Sequence, residues 1–135
     1  MMFRVAAASH SLARLLATRL NDVMPAAYRL VAQQDGLEFR IQGSYDGTAA
    51  AAIGEDEARE FAVRLQSAAY FVLDFVQDGI SEHLHLPWPS ADSRTMAMPG
   101  TRCGDDSLHL WYEESEKDPV LRIPEIPLSE IMDGP

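Results

Sequence analysis

The sequence predicts an α+β domain of two layers, an antiparallel sheet with helices gathered on one face. Three observations predict it. The run from Asp56 to Leu86 carries apolar residues at helical spacing; Leu37, Phe39 and Ile41 alternate with Glu38, Arg40 and Gln42 at the period of a strand; and the strand pairs are joined by turns too short for parallel crossovers. The resulting order is α-β-β-α-β-β, with room for one more strand near the C-terminus. A chain of 135 residues has the length of one domain, 1–135, and needs neither disulfides nor metals to hold a core.

Residues 8–24 predict an amphipathic helix, because Leu12, Leu15, Leu16, Leu20 and Val23 share a stripe from which Arg14 and Arg19 are absent. Ser9 or Ser11 is its expected cap, and Pro25 follows its end at Met24. The basic, acid-free start of the chain invites a targeting reading. The apolar stretch Val5 to Ala8 is shorter than the ~7–15 residues of a signal-peptide core, however, and Arg14 and Arg19 interrupt the residues after it. A transit peptide or interfacial anchor is the rival to a helix docked on its own domain, and docking is the commoner outcome.

Residues 28–53 predict a hairpin followed by a loop or a third strand. Tyr28 to Gln33 leads through Asp35-Gly36, a dipeptide suited to a type I′ turn, into the alternating strand. Gly43 to Gly54 is rich in Gly, Ala and Ser and holds either a weak strand around Thr48 to Ile53 or a loop.

The long helix, 56–86, has a core stripe of Ala58, Phe61, Ala62, Leu65, Ala69, Val72, Val76 and Ile80. Almost opposite lies a second, shorter strip formed by Val63, Ser67, Tyr70, Phe71 and Asp74. A wholly solvated face would not carry Tyr70 and Phe71. Glu55, Asp56 and Glu57 suit the positive end of the helix dipole, Pro87 sets the latest stop, and Gly79 is a place where the helix can bend.

Residues 87–135 predict strands and a C-terminal tail. Pro87-Trp88-Pro89 opens a connection, followed by strand candidates at Met96 to Met98 with Thr101 to Cys103 and at Leu108 to Tyr112. Gly104-Asp105-Asp106 is the turn between them. Pro119 to Pro124 is confined to a sheet margin by its prolines, and Ile126 to Met132 predicts a short helical turn packed back on the domain. The element order recurs in small acidic chaperones of secretion systems and in several ligand-binding folds, a likeness of architecture that carries no functional residue across.

The net charge of −10 is unevenly spread. Residues 1–21 hold three arginines and no acid, which leaves −13 for the remainder. Such a body repels phosphate backbones, which argues against nucleic acid as a partner. No window resembles a membrane span, and the single cysteine, Cys103, precludes an internal disulfide and fits a cytoplasmic location.

Chemistry-bearing residues form no decisive motif. Asp78, Glu82, His83 and His85 are weak metal candidates, because His83 and His85 point 200° apart on a continuous helix; no metal and no cofactor is assigned. Cys103 is followed by two acids, Asp105 and Asp106, which raise rather than lower a thiol pKa. Glu113-Glu114 falls in a solvated loop, without the burial that would separate acid from base. His109 and Trp111 share the outer side of a strand whose inner side is Leu108, Leu110 and Tyr112, which places Trp111 under a covering segment or against a partner.

The leading expectation is therefore a small acidic, non-enzymatic protein-interaction module, a homodimer or a binder of another protein. Its contact residues are expected to be Val63, Ser67, Tyr70, Phe71, Asp74 and Trp111. The alternative is a small-molecule binder with a pocket between sheet and long helix, beside the small residues Ala49 to Ala52. An enzyme ranks third.

Overall fold

The computed structural model describes residues 2–34, 36–56, 58–113 and 116–133, with side chains described from Val5 to Met132 among these. The fold is α+β and begins with a helix. The elements are α1 (Met2–Asn21), β1 (Tyr28–Ala32), β2 (Gly36–Ile41), β3 (Ser44–Ala50), α2 (Phe61–Leu84), β4 (Pro99–Cys103), β5 (Ser107–Tyr112), β6 (Leu121–Pro127) and α3 (Leu128–Asp133).

Where the sequence suggested one sheet, the strands divide into two antiparallel meanders, β1-β2-β3 and β4-β5-β6. Each meander follows a long helix, so the chain runs twice through helix and three strands before α3 closes it. The helices link the two sheets. α2 packs against both β3 and β4, and α1 packs against β1, β2, β6 and α3. This arrangement protects edge strands. The Cys103 amide donates to the Gln66 Oε1 of α2 at 2.7 Å, and the Thr101 hydroxyl donates to the Gln66 carbonyl at 3.2 Å, so part of the outer edge of β4 is satisfied by a helix.

α1 is docked on its own domain, with Leu12, Leu16 and Leu20 fully buried. Each such leucine contributes about 1.5–3 kcal/mol of transfer free energy. The helix starts before the expected residue 8, and the serines expected to cap it lie within it. Ser9 Oγ instead accepts the Ile53 amide at 2.9 Å, which ties α1 to the segment after β3.

The turn chemistry differs from expectation at the first hairpin. Gly36 belongs to β2, where its carbonyl accepts the Gln33 amide at 2.8 Å; Asp35 lies outside the described residues. A side chain on Gly36 would meet the Ala49 carbonyl oxygen at 3.0 Å, so its glycine serves close strand approach. Positive φ appears one hairpin later, at Gln42 (52°) and Gly43 (85°), which form the two-residue link between Ile41 and Ser44. The segment left open between loop and strand is β3, which starts earlier than Thr48.

α2 begins at Phe61, five residues later than expected. Ala58 and the acids Glu55 and Asp56 precede it, and the Asp56 carboxylate accepts the Ala58 amide at 3.0 Å in a turn. Leu65, Ala69, Val72, Val76 and Ile80 face the core as the periodicity requires, joined by Ala68, Leu73 and Gln77 because α2 meets the second sheet as well. Gln77 is buried and donates its side-chain amide to the Ala97 carbonyl. The helix ends with His85 in the left-handed region at φ 58°, two residues before Pro87. Met96 to Met98 lies outside the strands, and β4 starts at Pro99.

Gly79 does not break α2. It makes room for Phe39. A Cβ there would lie 2.8 Å from the Phe39 ring, which is buried, stacked on Tyr28 at 5.9 Å and set edge-on to Phe75 at 6.0 Å. Gly79→Ala gains about 1 kcal/mol of helix propensity but overpacks a ring that cannot retreat, at about 1–3 kcal/mol. The expected net result is a lower melting temperature in a thermal scan. A rise would show that the ring relocates freely.

Candidate functional site

The outer face of α2 carries the one group of site residues that the sequence predicted together and the structure keeps together. Ser67, Tyr70, Phe71 and Asp74 are exposed, and Val63 is half-buried at the start of the strip. Phe71 is 55% exposed and Tyr70 39%. α1, whose buried face is spent on β1, β2, β6 and α3, is not among the elements against which α2 packs most closely.

Two open grooves flank the strip and share Ser67 and Phe71. The first, about 390 Å³, runs between the helix and the segment after β3 and is lined by Ala50, Ala52, Gly54, Arg59, Arg64 and Phe71 among others. The second, about 360 Å³, lies toward β4 and is lined by Gln66, Ser67, Tyr70, Phe71, Asp74 and Thr101. The small residues Ala49 to Ala52 thus split by alternation. Ala49 and Ala51 enter the core, whereas Ala50 and Ala52 floor the first groove. A third groove of about 770 Å³ adjoins Ala52 and Gly54 and is walled by Val5, Ala6, Ala7, Ser9 and His10 of α1.

Charge is mixed at the start of α2 and acidic toward its end. At the N-terminal end, Arg64 donates to the Gly54 carbonyl at 2.8 Å and lies over the Phe61 ring at 5.5 Å, with the exposed Asp56, Arg59 and N-cap Glu60 just before the helix. At the other end, Asp74, Asp78 and Glu82 succeed one another at one-turn spacing and are exposed. The ion pairs Arg19–Glu130, Arg40–Glu38 and Arg102–Glu116 do not involve these three acids. Partial burial, then repulsion from Asp78, holds the Asp74 carboxyl above the usual aspartate range.

Trp111, expected as a contact residue, leaves the candidate surface. It is only 8% exposed, lies across Gly100 on the neighbouring strand and donates its indole N–H to the Glu113 carbonyl at 2.9 Å. The absence of a side chain on Gly100 is what lets the ring lie flat on its own sheet. That relation is invisible until strands β4 and β5 are in register. His109, its companion on that side, is half-buried and 3.4 Å from Glu125.

The weak metal candidates are dispersed. His83 Nδ1 is 2.6 Å from the Tyr28 hydroxyl and its ring stands edge-on to that phenol, His85 occupies the helix C-cap, and Asp78 and Glu82 face outward. Among the described residues, no three His, Cys, Asp or Glu side chains are grouped as metal ligands. Burial raises the Cys103 thiol pKa, away from nucleophilic activation; the sequence had the direction from neighbouring acids, and desolvation is the cause. Glu114 of the acidic pair lies outside the described residues. No described helix is long and apolar enough to cross a membrane.

A second set of exposed apolar side chains escaped the sequence reading. Leu84, Leu86, Met96 and Met98 are 37–52% exposed around the end of α2 and the connection to β4. Their signal was an expected strand at Met96 to Met98 that does not form.

Comparison with protein-family models, curated proteins and solved structures finds no match for the chain.

Proposed function

We propose that this chain is a non-enzymatic protein-interaction module that engages a protein partner through the outer face of α2. The observation that carries the reading is the exposure of Phe71 and Tyr70 side by side, on a helix whose opposite face already fills the core. Their rings leave roughly 200 Å² of aromatic surface in water, on the scale of residue sizes that dominate interface energetics. Grooves on both sides give a partner's side chains somewhere to seat. Asp74 on the strip and Arg64 beside it supply the polar rim that protein contacts show around an apolar centre. The dispersal of the histidines and the raised thiol pKa of Cys103 support a binding role over a chemical one.

The test is the pair Tyr70→Ser with Phe71→Ser. Both side chains are exposed, so unfolding free energy is expected to change by no more than about 0.5 kcal/mol per site. Association, with itself in light scattering or with a partner in a binding assay, is expected to disappear. Association at wild-type strength in a folded variant would overturn the reading.

A further inference from the structure

We propose that the partner at this face presents an extended segment, which adds as a fourth strand to the free edge of β3 and seats an aliphatic side chain in the groove beside Phe71. The inference rests on the reading of the outer face of α2 as a protein contact and names the form of the partner. Each sheet has two outer edges, and three of the four carry a closing device. On β1, the Asn21 side chain donates to the Leu30 carbonyl at 2.9 Å and accepts the Leu30 amide at 2.8 Å, as a neighbouring strand would. On β4, the Gln66 side chain takes the Cys103 amide. On β6, Pro124 and Pro127 have no amide hydrogen to offer, and Arg19 donates to the Glu125 carbonyl at 3.2 Å.

The edge of β3 has no such cover. The bonds from the Gln42 amide to the Ala27 carbonyl and from the Gln33 amide to the Gly36 carbonyl fix the phase of the first ladder. Leu37 and Phe39 therefore turn their backbone groups toward β3, where they meet Ala49 and Gly47. Thr48 and Ala50, lying between and beyond these, point theirs away from the sheet. Both are exposed, and among the described residues no hydrogen bond from outside the ladder reaches the backbone of either. Unpaired amides and carbonyls in strand geometry select another extended backbone, and that requirement identifies the occupant. The usable edge is short, because Asp46 is the extra residue of a bulge opposite Phe39 and Arg40 and β3 ends at Ala50. That length suits one peptide segment better than the fusion of two sheets. A residue opposite Ala50 turns its side chain to the same side as the Ala50 methyl, which lines the groove of about 390 Å³ together with Ala52, Ala68 and Phe71. Such an apolar lining calls for an aliphatic side chain.

The experiment uses the full-length protein and a dye-labelled peptide of alternating valine and threonine in two forms, one N-methylated at its threonines and the other at its valines. In an added antiparallel strand the valines that enter the groove also turn their amides toward β3, so only the second form loses the pairing. Fluorescence anisotropy is expected to show the threonine-methylated form binding the wild type and the valine-methylated form binding about tenfold more weakly or worse, the loss of one or two hydrogen bonds. Ala50→Pro removes an outward amide hydrogen and leaves the ladder of β2 and β3 intact. It is expected to weaken the first form by a similar factor, with a thermal melt checking its fold. Equal binding of the two forms to the wild type, no binding of either, or a folded Ala50→Pro that binds at wild-type strength would overturn strand addition. A wild-type dimer that Ala50→Pro dissociates would also overturn it, by making the occupant a second copy of the chain. Tyr70→Ser with Phe71→Ser leaves the β3 edge intact and reads the strip separately. Unchanged peptide binding in that variant, with Ala50→Pro still inactive, would remove the reading of the helix face and leave strand addition standing.

Discussion

Gly100→Ala is expected to destabilise the protein by about 2–4 kcal/mol, a large share of the 5–15 kcal/mol that holds a domain of this size. A Cβ at that position would lie 2.3 Å from Trp111 Cε2 and 2.4 Å from its Nε1. Neither side can yield cheaply. Gly100 is held opposite Trp111 by the ladder of β4 and β5, and the indole is held by its bond to the Glu113 carbonyl at 2.9 Å. The ring must therefore lift off the sheet. Returning a large part of its 150–250 Å² to water, at about 25 cal/mol per Å², costs on the order of the figure above. In a Trp88→Phe background, where Trp111 is the only tryptophan, its emission should shift to longer wavelength as stability falls. Gly43→Ala is the control, because nothing lies within 4 Å of a Cβ there and only the φ of 85° opposes it. That change is expected to cost about 1–2 kcal/mol and to leave the emission unmoved. Equal emission shifts in the two variants would overturn the account.

Tyr112→Ala is expected to cost about 3–5 kcal/mol, the range for deleting a large buried aromatic side chain. Tyr112 is fully buried, donates its hydroxyl to the Leu73 carbonyl of α2 at 2.7 Å and meets Trp88 edge-on at 5.6 Å. It therefore ties β5 to the long helix and to the connection that leaves that helix. Tyr112→Phe keeps the packing and removes the hydrogen bond, at an expected cost of about 1 kcal/mol. The same residue sets an alkaline limit. Burial first, then the negative charges of Asp74 and Asp78, push its phenol well above the ordinary value of 10.0. The folded state thus holds this proton more tightly than the unfolded chain. The stability it contributes is complete below the unfolded value and is lost as pH rises past it. Urea midpoints measured from about pH 9 to 11 should fall less steeply for Tyr112→Phe than for the wild type. Tyr28, whose phenol is also raised by burial, accounts for a remaining slope. Parallel slopes in the two proteins would refute this role.

Local pattern was enough wherever one face of an element alone decided its place. The leucine stripe of α1 and the Leu65 to Ile80 face of α2 are read from a 3.6-residue period, because a helix must hide its apolar side whatever lies opposite. The same holds for the exposed strip of Tyr70 and Phe71, which is the surplus left once that face is assigned. Turns at Gly104–Asp106 and the edge position of the proline-flanked β6 also come from local backbone limits.

Features that depend on a second element at a distance were not legible. Gly36, Gly79 and Gly100 look alike in the sequence, as turn or breaker signals, yet each is a site of close approach, to the Ala49 carbonyl, the Phe39 ring and the Trp111 ring respectively. Trp111 reads as an outward aromatic because alternation assigns its side of the strand, while its burial is decided by a glycine on the neighbouring strand. By itself the sequence determined the class, the two long helices each followed by a hairpin, and the apolar surplus of α2, since each arises from periodicity within one segment. Only the tertiary structure decided that six strands form two sheets, that α1 docks against β1 and β6, and that Trp111 is covered while Phe71 is bare, because these depend on register and packing between segments far apart in the chain.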